Sequence, residues 1–94
     1  MKISVVIPAF NEAHAIGDVV GAVPADRVHE IIVVDNGSAD DTAKQASLAG
    51  ARVVFESRPG YGSACSAGAR AAIDAVPRIA DSYPNATAAV ITTI

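Results

Sequence analysis

Residues 31–43 read IIVVDNGSADDTA, four β-branched apolar residues running without a break into acid, amide, glycine and hydroxyl. An unbroken apolar run is the pattern of a strand covered on both faces, since a half-solvated strand alternates polar with apolar positions. Such strands belong to parallel sheets sandwiched between helices. The polar residues that follow are thus delivered by a rigid element to one place, with Asp35 and Asn36 first among them. Ser38 and Asp41 have the spacing of a capping box, and the Ala-rich helix they introduce runs to Gly50, a natural helix stop.

Working outward, the same alternation of elements recurs on both sides. Residues 1–7 (MKISVVI) form an apolar run that Pro8, unable to donate to a sheet ladder, should end. Asn11 is placed to cap a helix over residues 12–23, in which Ile16, Val19, Val20 and Val23 fall at i, i+3, i+4 and i+7, and Pro24 closes it. Residues 30–34 and 52–56 read as the second and third strands. A third helix is expected over 63–76 and a fourth strand over 88–94. Strands alternating with helices make βαβ units whose right-handed crossovers set the strands parallel. The expected fold is α/β: a three-layer sandwich, with a parallel sheet of about four strands in the order 3-2-1-4 and helices on both faces.

Bulk properties bound the possibilities. The chain has 94 residues, 51% of them hydrophobic, and seven basic against ten acidic residues for a formal charge of −3. A chain of this size has room for one core, so residues 1–94 are expected to be a single domain. The basic residues are scattered, which argues against nucleic acid as a partner. One cysteine builds no disulfide framework, and the sequence has neither a leader pattern nor a long apolar span, so the expected compartment is the cytoplasm and no membrane segment is expected.

In a parallel sheet every loop that follows a strand leaves at the same edge. PAFNEA (8–13), DNGSADD (35–41) and SRPGYGSA (57–64) should therefore meet along one rim, where open α/β sheets bind ligands. Asp35 accepts hydrogen bonds, Asn36 donates and accepts, and helix N-termini add free N–H groups, a set suited to the base, ribose and phosphates of a nucleotide. The competing reading of Asp35 and Ser38 is as local caps. Arg58 follows strand three at the same rim, placed either to meet a diphosphate or to lie in solvent.

SVVIPAFNEA (4–13), IIVVDNGSADDTA (31–43) and RPGYGSACSAGARAA (58–72) closely resemble, in order and spacing, the start of family 2 glycosyltransferases of the GT-A fold, which use nucleotide-diphospho-sugars. The resemblance covers about residues 3–76, the Rossmann-like nucleotide-binding half. It implies nucleotide-binding roles for Pro8, Ala9, Phe10, Glu12, Asp35 and Asn36, and a UDP- or GDP-linked sugar as partner. Two positions depart from the pattern: Phe10 stands where tyrosine is usual, and Asn36 where a second aspartate is common. Family members also carry an acid-any-acid motif after strand four, whose carboxylates hold Mg²⁺ or Mn²⁺ against the leaving diphosphate. The sequence ends at AAVITTI, before that motif. The divalent metal is therefore expected of a full-length enzyme and not of this chain alone, which assigns no catalytic or metal-binding residue here. The expected function is that of a glycosyltransferase portion, inactive as a 94-residue chain, with a final strand whose edge invites a homodimer.

Two other classes share parts of the pattern. A non-catalytic nucleotide-binding or interaction module would keep this half and lack the chemistry. A dinucleotide-binding oxidoreductase domain would share the α/β pattern, and GYGSAC (60–65) partly imitates its glycine fingerprint, but that fingerprint belongs after strand one and needs a small residue where Cys65 stands. His14 and His29 lack metal-ligand spacing. Asp40 and Asp41 suit a helix start, and Cys65 reads as a packing residue.

Overall fold

A computed structural model describes residues 2–74 and 88–92. Four strands form one parallel sheet: β1 (Lys2–Ala9), β2 (Glu30–Asp35), β3 (Arg52–Phe55) and β4 (Ala88–Thr92), in the order β3-β2-β1-β4. Three helices connect them: α1 (Ile16–Gly21), α2 (Thr42–Leu48) and α3 (Tyr61–Asp74). The expected topology and strand order are those found. The ends of the third helix and fourth strand expected at 75–76 and 93–94 lie outside the described residues.

Alternation along the strands sorts the core into two layers. Val5, Ile7, Ala9 and Val33 join Ile16, Val20 and Ala46 on the side of α1 and α2. Val6, Ile32 and Val34 join Ala64 and Ala72 on the side of α3. Both faces of the central strands are thereby covered, which is why neither strand shows a polar alternation. Burial of each Val or Ile side chain contributes about 1.5–3 kcal/mol.

β1 runs past the point where Pro8 was expected to stop it, and Pro8 pairs in register with Val34. The reason lies in the direction of its nitrogen. Carbonyls of Ile3 and Ala9 accept from His29 and Asn36 on the β2 side, so the even-numbered positions of β1 face β4 with their ladder groups. The described β4 pairing ends at Val6–Thr92. Pro8 therefore lacks its N–H where the described ladder makes no demand for one.

The first helix is also shorter than its periodicity suggests. Residues 12–15 form a turn in which the Glu12 carbonyl accepts from Ala15 and Ile16, and the helix proper begins at Ile16 without a side-chain cap. Asn11 is not that cap: it has φ 53°, in the left-handed region that Asn tolerates better than most residues. Ile16, Val19, Val20 and Val23 still pack into the core as their spacing demanded, Val23 from just beyond the helix. At the end of α2, Gly50 (φ 102°) donates to the Ser47 carbonyl and Ala51 to that of Ala46. This is the paired bond pattern of a Schellman stop, and it turns the chain directly into β3.

Candidate functional site

The three loops that leave β1, β2 and β3 lie side by side, and side-chain hydrogen bonds stitch them together. Asn11 donates its backbone N–H to Ser38 Oγ at 2.9 Å, while its Oδ1 accepts from the Ala39 N–H at 2.8 Å. The Glu12 N–H donates to Thr42 Oγ1 at 2.9 Å and the Ala13 N–H to Asp40 Oδ2 at 3.2 Å. Thr42, fully buried, in turn donates its hydroxyl to Asp40 Oδ1, which also accepts the Thr42 N–H at 3.0 Å. The Thr42 hydroxyl holds the Asp40 carboxyl below its ordinary value, against a smaller opposing effect of desolvation.

These bonds correct the expected capping box. α2 begins after Asp41 with no side-chain bond from that residue, and Ser38 gives its oxygen to the neighbouring loop. The first N–H of α2 is satisfied from Asp40 instead, two residues upstream, in the manner of an Asx turn. Short polar side chains near a helix start were rightly expected to meet free N–H groups. Of the five they meet, three, those of Asn11, Glu12 and Ala13, belong to a different loop.

The second stitch joins β2 to the loop after β3. Asn36 donates both amide hydrogens, to the carbonyls of Glu56 (2.9 Å) and Arg58 (2.7 Å), and its Oδ1 accepts from the Gly60 N–H at 3.0 Å. Its own N–H is bound to the Ala9 carbonyl of β1. Asp35, 6% exposed, accepts the Ser38 N–H on Oδ1 at 3.0 Å. Its Oδ2 takes no hydrogen bond among the described residues.

Between the first and third loops opens a cleft of about 680 Å³, lined from one side by Pro8, Ala9, Phe10 and Glu12 and from the other by Asn36, Pro59, Gly60 and Tyr61. Ile7, Ile16 and Val19 add an apolar floor. The size lies within the range of about 300–1,000 Å³ of small-molecule sites, and a mostly apolar wall with a few polar groups is their usual character. Phe10 and Tyr61, large aromatics more than half exposed, flank it. The cleft also adjoins the start of α3, a 14-residue helix whose first N–H groups have no partner within the helix.

Five of the seven candidate binding residues, Pro8, Ala9, Phe10, Glu12 and Asn36, line this cleft together. Asp35 stands one residue from it, with its Oδ1 turned into its own loop. Arg58 does not line it. A charge-assisted bond of 2.6 Å from Nε to Glu56 Oε1 holds the exposed guanidinium along its own loop, and this contact keeps the Glu56 carboxyl below its ordinary value. Gly60 and Tyr61 are cleft residues within the third rim segment (57–64) that the sequence analysis did not single out as candidates. The available signal was the glycine immediately before a helix at the ligand edge of the sheet.

The described residues contain no cluster of three or more His, Cys, Asp or Glu suited to a metal ion. Asp40 is committed to Thr42 and Ala13, and Asp35 to Ser38. No helix among the described residues is long and apolar enough to cross a membrane.

Comparison with known proteins gives a consistent neighbourhood. The family model described as glycosyl transferase family 2 matches residues 4–82. A protein of Mycobacterium tuberculosis named only as an uncharacterised glycosyltransferase is 46% identical over 79 residues, covering 84% of this chain and 35% of its own length. Glucosyl-3-phosphoglycerate synthase of Mycolicibacterium paratuberculosis is 44% identical over 73 residues, covering 66% of this chain and 22% of its own. The crystal structure of the Mycobacterium tuberculosis synthase superposes with a TM-score of 0.68 at 41% identity, over 74% of this chain and 30% of the synthase. A structure of that synthase in complex with Mn²⁺, uridine diphosphate and glucosyl-3-phosphoglycerate superposes with a TM-score of 0.62 at 42% identity, over 67% of this chain and 26% of the synthase. The chain thus spans about a third of the length of the first of these relatives.

Proposed function

Because the chain belongs to glycosyl transferase family 2, we propose that it is the nucleotide-binding portion of a glycosyltransferase that uses a UDP-linked sugar, and that the cleft between its first and third loops holds the uridine nucleotide. The observation that carries this reading is the stitching of three strand-end loops into one cleft at the C-terminal edge of a parallel sheet, the place where open α/β sheets take ligands. UDP is favoured over GDP because the similar synthase has been crystallised with UDP and with UDP-glucose.

Six of the seven candidate residues then have a definite task. Phe10 offers a face for stacking, which a phenylalanine provides as well as a tyrosine. Pro8 and Ala9 set the depth of the cleft. Glu12 and the second oxygen of Asp35 accept from the hydroxyls of the ribose and the N–H of the base. The free N–H groups at the start of α3 suit the diphosphate. Arg58 reaches that phosphate only by exchanging Glu56 for it, a trade between two oxyanions that costs little in exposed surroundings.

The divalent metal of the family would neutralise charge on the departing diphosphate, and among the described residues there is no group of three or more His, Cys, Asp or Glu to hold it by themselves. On this reading the 94-residue chain binds nucleotide and does not transfer sugar. Calorimetric titration with UDP tests it, using Asp35→Asn as the partner variant because it preserves shape while removing charge. The expected result is saturable one-to-one binding, weakened by about 1–3 kcal/mol in the variant, the range for a hydrogen bond involving a charged group and the penalty for an unmatched one. Absence of heat with UDP at millimolar concentration overturns the assignment.

A further inference from the structure

Among the described cleft residues, Asn36 has the most fully engaged side chain. A carboxamide has two hydrogens and one oxygen with two lone pairs. Here both hydrogens go to carbonyls of the third loop, Glu56 and Arg58, and one lone pair takes the Gly60 N–H. A group so engaged has a single lone pair left for a ligand, whereas base recognition by an amide uses a donor and an acceptor together. Its backbone is fixed as well, at the end of β2, by the bond from its N–H to Ala9. One side chain anchored to the rigid sheet thus holds a loop at three points over five residues. The far end of that loop, Pro59 and Gly60, and the first residue of α3, Tyr61, form the cleft wall.

We propose that Asn36 is a positioning residue: its carboxamide clamps the loop of residues 56–60 against β2 and so sets the place of the Pro59–Gly60–Tyr61 wall and the start of α3, without itself reading the nucleotide. The proposal rests on the nucleotide reading of the cleft and refines it, moving Asn36 from the ligand set to the frame. It also states why an amide serves here. An aspartate at this position would turn a carboxylate toward the Glu56 and Arg58 carbonyls, and only the Gly60 contact would survive.

The test combines two measurements on the full chain, wild type and the variants Asn36→Ala and Asn36→Asp. Native-state hydrogen exchange reads the clamp through the Gly60 amide, with amides in the interior of β2 as the control for global stability. Titration with UDP reads the site. The clamp predicts that Gly60 exchange speeds up about tenfold or more in Asn36→Ala with β2 unchanged, and that UDP affinity falls by about tenfold in parallel, one hydrogen bond's net worth. Asn36→Asp should lose Gly60 protection least and UDP affinity at least as much, because the loop is pushed away at its other two anchors. Weakened UDP binding with Gly60 protection intact in both variants would mean that Asn36 touches the nucleotide directly, and would overturn the proposal. So would faster Gly60 exchange with unchanged affinity. If wild type binds no UDP, the nucleotide reading fails by itself, and Gly60 exchange still decides whether the clamp exists.

Discussion

At the level of single residues, small oxygen-bearing side chains set the geometry of the site. Asp35, Asn36, Ser38 and Asp40 were all visible in the sequence as polar groups at a strand end. Which N–H each would meet was not, because the sequence shows only neighbours along the chain, and here Ser38 meets Asn11 and Asn36 meets Gly60. Thr42 is the least conspicuous and the most exacting of the set. Its buried hydroxyl accepts from Glu12 and donates to Asp40, so Thr42→Val, equal in shape, leaves the Glu12 N–H and Asp40 short of a partner. A loss of about 1–3 kcal/mol in denaturant unfolding is expected. Asp40 gives the acid side of the stability profile. Its carboxyl is held below the ordinary value of 3.8 in the folded chain, so its stabilisation is complete above that value and fades as the pH falls through the lower, folded one. Asp40→Asn, which cannot titrate, should show a shallower loss of melting temperature than wild type as the pH falls below the ordinary aspartate value of 3.8.

Among the elements, strands were more legible than helix ends. Apolar runs fix β2 and β3 to within a residue, since burial on both faces leaves no other placement for them. The start of α1 was missed because Asn11, a good cap by type, is drawn away by the neighbouring loop and takes a left-handed conformation in doing so. The sequence placed α3 from residue 63, two residues after its true start at Tyr61, and gave no sign of how closely it approaches the sheet. A side chain at Gly68 would run into Val6 Cγ1 and stand 3.1 Å from Val34 Cγ2, both on rigid strands. Alanine in place of glycine inside a helix is ordinarily favourable by about 1 kcal/mol. Here overpacking of about 1–3 kcal/mol or more opposes it. Gly68→Ala should therefore lower stability despite its better helix propensity, as measured by the urea midpoint, and an unchanged or raised midpoint would show that α3 can lift from β1 at no cost.

For the molecule as a whole, right-handed crossovers and buried strands made the strands parallel, and the order β3-β2-β1-β4 is the expected one; together they bring three loops to one rim. What no pattern conveyed was how that rim is divided: an apolar cleft between the first and third loops, and a hydrogen-bonded knot between the first and second. At the opposite flank, β3 is an edge strand with Phe55 about 71% exposed, and Leu48 of α2 about 72% exposed. Open edges and exposed apolar side chains favour association. We predict that sedimentation at increasing concentration shows a growing dimer fraction, and a monomer throughout would count against it. The central claim, that a uridine nucleotide occupies the cleft, is tested most directly by mapping UDP onto the isotopically labelled chain by NMR. The account predicts concentration-dependent shifts of the backbone amides of Ala9, Phe10, Glu12, Gly60 and Tyr61, all cleft residues, with those of Leu48 and Phe55 unmoved. Shifts confined to the Leu48–Phe55 flank, or none at saturating UDP, would contradict it.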